Sequence, residues 1–147
     1  MRQKKKTRKQ SGFTLLEVLI VLSISVILLS IAVPLAQHLL QQKTEEKVLH
    51  TFLYDILYLQ NQSLLTEEQY LRIALYKKKY TIVGINNETI ERELPIGWEI
   101  DRRTLSDISF NEKGSIRKAG TIQIITPTNK YNVVFPLGKG RGYIEKQ

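Results

Sequence analysis

Apolar positions divide the chain into three stretches with different periods. From Phe13 to Val33 the sequence FTLLEVLIVLSISVILLSIAV is apolar at 16 of 21 positions, and Glu17 is its only charge. As a helix it would measure about 31 Å, enough to cross a bilayer core of ~30 Å. A helix apolar on every side has no place on the surface of a small soluble domain, so the pattern predicts membrane insertion. From Leu35 to Leu65 the apolar residues thin to helical spacing. Leu35, Leu39, Leu49, Leu53, Ile56 and Leu59 make one stripe, broadened by Phe52, Tyr54 and Tyr58. Lys43, Glu46, Lys47, His50 and Asp55 are assigned to the other faces. Pro34 removes one hydrogen bond and restricts the residue before it, without forcing a stop. The expectation is one helix of roughly 50 residues, about 75 Å, with a kink at Pro34.

Beyond residue 66 the idiom changes to short β-rich runs. Gln69–Tyr76 and Lys79–Ile85 flank the Lys77-Lys78 connection of a hairpin, and Asn86-Asn87 turns the chain into Thr89–Glu93. Leu94-Pro95-Ile96-Gly97 precedes a strand at Trp98–Ile100, and Asn111-Glu112-Lys113-Gly114 separates Ile108–Phe110 from Ser115-Ile116. Thr121–Thr126 and Tyr131–Phe135 pair around Pro127–Lys130, and a last strand lies near Tyr143-Ile144. Tight links between short runs predict an antiparallel meander with one face covered by the helix, an α+β fold.

Charge changes the picture at the N-terminus. The 147 residues carry 22 Lys+Arg against 14 Asp+Glu, a net +8 that suggests nucleic acid. Six of those cations (Arg2, Lys4, Lys5, Lys6, Arg8, Lys9) fall in residues 1–12, which hold no acid, leaving 16 against 14 for the rest. From Pro34 to Leu71 the only Lys or Arg residues are Lys43 and Lys47. The positive-inside bias therefore places the N-terminus in the cytoplasm and the chain after Pro34 outside. With no cysteine, disulfides and thiolate–metal sites are excluded, and the length suits one ordinary domain. Three readings of the N-terminal segment remain open on residues alone. A secretory signal would be cut near Ser30-Ile31-Ala32, a plain anchor would stay whole, and a cut at Gly12–Phe13 would keep the helix. A plain anchor leaves Glu17 unexplained, because a carboxylate at that depth costs ~2.5–3.5 kcal/mol.

Lys9-Gln10-Ser11-Gly12-Phe13-Thr14-Leu15-Leu16-Glu17-Val18-Leu19 resembles the prepilin signature of type IV pilins and pseudopilins. The resemblance implies a leader, residues 1–12, removed by a prepilin peptidase after Gly12, and N-methylation of the new terminus at Phe13. It implies that Glu17 is the intersubunit assembly charge, pairing with the terminal amine of a neighbouring subunit, and that Pro34 kinks the helix as in many pilins. The implied division is 13–34 as transmembrane and assembly helix, 35–65 as its amphipathic continuation, and 66–147 as an extracytoplasmic antiparallel β-sheet domain. Phe110-Asn111-Glu112-Lys113-Gly114, the Thr121–Thr126 and Tyr131–Phe135 strands and the Gly-Arg-Gly ending resemble the globular domain of minor pseudopilins of the secretion and competence types, and the chain is most like the minor subunits of Gram-positive competence pseudopili. The implied function is a minor subunit of a competence pseudopilus supporting DNA uptake. Its implied partners are the peptidase, major and minor pilin-like subunits, an inner-membrane assembly platform with its ATPase, and membrane lipid before assembly. The implied location is the cell membrane, then the cell surface in the filament. A type II secretion or other type IV pilus subunit, and a membrane-anchored binding protein that never polymerises, are the alternatives.

Little else suggests chemistry. His38 and His50 stand twelve residues apart with no third histidine and no cysteine, so they read as surface helix residues. Gly138-Lys139-Gly140-Arg141-Gly142 lacks the strand, spacing and following helix of a phosphate loop and reads as a glycine-bent edge. No nucleophile or metalloprotease motif occurs, and no enzyme, cofactor or metal is expected. Lys77, Lys78 and Lys79, between Tyr76 and Tyr80, are the candidate for a weak DNA contact, with Arg102-Arg103, Arg117-Lys118 and Lys139/Arg141 as further cations in turns.

Overall fold

Thr14 starts the first element. Its Oγ1 accepts the Glu17 N–H at 3.3 Å, and helix α1 runs 51 residues from Leu15 to Leu65 with Pro34 inside it. The computed structural model describes residues 14–66 and 71–147, and the chain divides into two compact units, Met1–Lys43 and Thr44–Gln147. In the first unit the large apolar residues from Leu15 to Leu40 are exposed. Its serines are closed on the helix itself: Ser23 and Ser25 donate to Leu19 O and Val21 O at 2.8 Å, and Ser30 to Ile27 O at 2.7 Å. A hydroxyl bonded back to its own helix costs little in lipid, so the span presents hydrocarbon almost throughout.

The second unit is built on the last third of α1. Leu49, Phe52, Ile56 and Leu59, at spacings of three and four, are buried against the strands. The strands are β1 (Arg72–Leu75), β2 (Lys79–Val83), β3 (Thr89–Glu93), β4 (Glu99–Asp101), β5 (Asp107–Ile108), β6 (Gly120–Ile125), β7 (Lys130–Phe135) and β8 (Tyr143–Lys146). Burial alternates with period two at Ile73 and Leu75, at Tyr80 and Ile82, and at Tyr131, Val133 and Phe135. In β6 the period breaks because Gln123 is buried too, its amide donating to Asn132 Oδ1 at 3.0 Å and Gln147 Oε1 at 2.9 Å.

A continuous meander is not what forms. There are two antiparallel four-stranded sheets, ordered β3-β2-β1-β5 and β4-β6-β7-β8. The chain leaves the first sheet after β3, adds β4 to the edge of β6, returns to pair β5 with β1, and crosses again. Connections of five residues each, 94–98 and 102–106, carry the chain between the sheets. Two of the expected turns carry left-handed residues, Asn86 (φ 58) and Asn87 (φ 59) in one and Gly114 (φ 70) in the other. Phe52 packs edge-on to Tyr80 at 4.9 Å between ring centroids, joining helix and first sheet. Phe52→Ala should lower stability by about 3–5 kcal/mol, read as a fall in the thermal unfolding midpoint of the detergent-solubilised chain.

Candidate functional site

The expected cleavage pair, Gly12–Phe13, and the basic leader lie outside the described residues. Glu17 is exposed in the first turn of α1, where a negative charge is favoured by the helix dipole by ~0.3–1 kcal/mol. That gain is smaller than the ~2.5–3.5 kcal/mol cost of a carboxylate within a bilayer. Among the described residues no side chain donates to it; its own N–H goes to Thr14 Oγ1. Pro34 is exposed, with helix on both sides of it.

Two further carboxylates on α1 are treated very differently. Glu45, 5% exposed, accepts four hydrogen bonds from the β6–β7 turn and the start of β7. Thr126 Oγ1 (2.5 Å) and Thr128 Oγ1 (2.6 Å) donate to Oε1, and Asn129 Nδ2 (2.8 Å) and Tyr131 OH (2.6 Å) donate to Oε2. Burial pushes the carboxyl upward, but the bonds from Thr126, Thr128, Tyr131 and Asn129 together outweigh it and hold the group down at about 2. Burial, then the bond to Glu45, raises the Tyr131 phenol to about 12. Glu45 is thus an ionised clasp that fastens the hairpin turn to the helix. It was legible only by phase: 45, 49, 52, 56, 59 and 63 share one face.

Asp55 corrects the sequence reading, which placed it on a solvent face. It is buried, accepting Tyr80 OH at 2.7 Å and Arg92 Nε at 3.2 Å on Oδ2. Desolvation, then the Asp55 bond, pushes the Tyr80 hydroxyl upward, and Asp55 raises the Arg92 guanidinium. Tyr54 and Tyr58, expected on the buried stripe, are exposed, because Asp55 and Phe52 hold the positions facing the sheet. His38 and His50 are exposed, the first beside Gln42 and the second near the Tyr54 ring.

The lysine run is largely paired within the domain. Lys77 meets Glu99 at 3.2 Å and Lys79 meets Glu91 at 2.9 Å, and the latter bond raises the Lys79 pKa. The glycine-rich tail is a strap. Gln60 Nε2 donates to both Gly114 O and Gly140 O at 2.6 Å, and a Cβ at Gly140 would stand 2.9 Å from that nitrogen. At Gly142 a Cβ would stand 2.7 Å from the Phe135 ring. These glycines are set by close approach to side chains, which accounts for the motif without a phosphate.

Comparison with known proteins bears on both units. The family described as the prokaryotic N-terminal methylation motif matches residues 7–33. The competence protein ComGD of Bacillus subtilis (strain 168) is 34% identical over 143 residues, covering 97% of this chain and 98% of that protein. No solved structure matches the chain.

The clasp has a pH signature. Its folded value lies below the ordinary 4.5, so its stabilisation is present above that pH and is lost as pH falls toward about 2. The depression is worth on the order of 3 kcal/mol. Glu45→Gln should cost about 2–4 kcal/mol at neutral pH, since the amide opposes a donor to donors. It should also flatten the loss of stability between about pH 4.5 and 2, measured by denaturant unfolding across that range.

Proposed function

We propose a route by which this chain, a minor pilin-like subunit that belongs to the ComGD family of competence proteins, reaches its filament and serves DNA uptake. Residues 1–12 hold the precursor at the cytoplasmic face through their six cations. Residues 13–34 span the membrane, 35–65 continue the helix outside it, and 66–147 complete the extracytoplasmic sheet domain. A prepilin peptidase cuts between Gly12 and Phe13, and methylation follows on the Phe13 amine. Removing the leader takes away the charges that resist extraction and leaves a cation at the positive end of the helix dipole.

The observation that carries this reading is the pairing of an uncovered apolar helix with a carboxylate that no described side chain meets. Glu17 then finds its cation on the terminal amine of a neighbouring pilin-like subunit as the helix moves from lipid to filament. An inner-membrane platform driven by an assembly ATPase supplies the work, and Pro34 lets the helix bend where it leaves the packed filament interior. The subunit's own task in this scheme is structural, and the filament brings exogenous DNA to the uptake machinery.

Mass spectrometry of the membrane-extracted protein should find a chain beginning at methylated Phe13; a start at Val33 would contradict the route. Glu17→Ala should be cleaved normally yet enter filaments more than tenfold less, as expected from losing ~2.5–3.5 kcal/mol of charge neutralisation. Normal incorporation of that variant in sheared filament fractions would remove Glu17 from the assembly step.

A further inference from the structure

Four exposed cations, Arg102, Arg103, Arg117 and Lys118, gather on one part of the second unit. The backbone brings the two pairs together. Thr104, next to Arg103, donates its N–H to Thr121 O at 3.4 Å, and its Oγ1 accepts the Thr121 N–H at 2.9 Å. A Cβ at Gly120 would stand 2.6 Å from Thr104 Oγ1 and 2.7 Å from Leu105 Cγ, so the Arg102–Leu105 turn lies against the start of β6. Lys118 precedes that glycine by two residues, which sets the Cα atoms of Arg103 and Lys118 within roughly 15–20 Å at ~3.8 Å per residue.

The patch is held before any ligand arrives. Arg103 is left-handed at φ 42, its N–H bonded to Asp101 Oδ1 at 3.0 Å, and Leu105 N–H closes on Arg102 O at 2.8 Å. Arg117 Nε donates to Phe110 O at 2.8 Å, which steadies the side chain and leaves its terminal nitrogens available.

Charge and surface chemistry select the partner. The patch sets four cations against two nearby carboxylates, Asp101, 3.8 Å from Arg103, and Asp107, while Glu99, which borders the same depression, is offset by Lys77 at 3.2 Å. The Lys77–Lys79 run sets three cations against three, since Glu99 and Glu91 pair with it and Glu93 lies opposite Lys79 in register. Among the described residues no large apolar side chain is exposed between Gly97 and Pro136, whereas Leu57, Leu64 and Leu137 are exposed elsewhere. A cationic surface without apolar anchors fits a phosphate backbone better than a protein interface, and arginine forks match phosphate oxygens.

We infer that Arg102, Arg103, Arg117 and Lys118 dock the phosphate backbone of the DNA that the filament carries, without reading its sequence. This rests on the competence reading and moves the DNA contact away from the lysine run. The test uses the full chain in detergent and a short fluorescent duplex. The triple variant Arg102→Gln, Arg103→Gln, Lys118→Gln should bind at least tenfold more weakly at about 50 mM salt. Its slope of log affinity against log salt should be shallower by about 2 to 3, roughly 0.9 per lost phosphate contact. Arg117 is kept because its bond to Phe110 supports the fold, and an unchanged unfolding midpoint verifies the triple variant. The control, Lys78→Gln with Lys79→Gln, leaves Lys77 in place because it borders the same depression as Arg102 and Arg103, and should change affinity less than twofold. No binding by the parent chain, an unaltered triple variant or an equal loss in the control would overturn the inference. Tighter binding of polyglutamate than of DNA would overturn it in favour of an acidic protein. In cells, the triple variant should enter filaments and transform at least tenfold less. Transformation that survives deletion of the chain refutes the competence reading, while normal transformation by the triple variant refutes the patch alone.

Discussion

A carboxylate taken out of water must be met by donors or by a cation, and α1 answers that demand in three ways. Asp55 has Arg92 and the Tyr80 hydroxyl. Glu45 has four neutral donors and stays ionised on hydrogen bonds, with its carboxyl held near 2. Glu17 has no donor side chain among the described residues. The first two join the helix to the two sheets, Asp55 through β2 and β3 and Glu45 through the β6–β7 turn. They account for why a domain with two separately paired sheets closes on one helix. The third is exposed in the first turn of the helix, and in the proposed route the terminal amine of a neighbouring subunit completes it.

The long helix and its apolar first half were legible because they are local. A run of 16 apolar residues in 21 needs no knowledge of distant sequence, and neither do Leu49, Ile56 and Leu59 of the expected stripe with Phe52 beside them, although Leu35 and Leu39, read into the same stripe, are exposed. Asp55 was misplaced because a charge on a helix looks solvated until its partners are known, and Tyr80 and Arg92 lie 25 and 37 residues away. Glu45 was passed over for the same reason, although its phase put it on the buried face. Once those two carboxylates occupy the sheet-facing side, Tyr54 and Tyr58 are left at the surface, so one error produced the other.

In the sheet domain the turns were readable and the pairings were not. Asn86-Asn87 and Gly114 announce left-handed backbone by residue type, whereas joining β4 to β6 and β5 to β1 depends on which edges are free. Charge behaved alike. A lysine run is visible in sequence, but of the acids that offset it Glu91 lies on the neighbouring strand and Glu99 in the other sheet, while, among the described residues, Arg103 alone of the two Arg/Lys pairs meets a carboxylate, Asp101 at 3.8 Å. The glycines of the tail explain themselves only beside Gln60 and Phe135.

The buried apolar core of the described residues runs from Leu49 to Phe135 and takes nothing from Leu15–Lys43. In the proposed route the first half of the helix exchanges lipid for protein neighbours. Hydrophobicity cannot drive the exchange, because lipid tails are as apolar as leucine side chains. What remains is packing and polar satisfaction. Packing distinguishes well-fitted neighbours from lipid, but it is spread over many side chains and vanishes gradually with misfit. On the proposed route a single intramembrane carboxylate worth ~2.5–3.5 kcal/mol would act at one position and set axial register, since a shift by one helical turn would move it about 5.4 Å from its partner cation. Among the described residues from 14 to 34 Glu17 carries the one charged side chain, and so under that proposal it is the group that favours one axial arrangement over its neighbours.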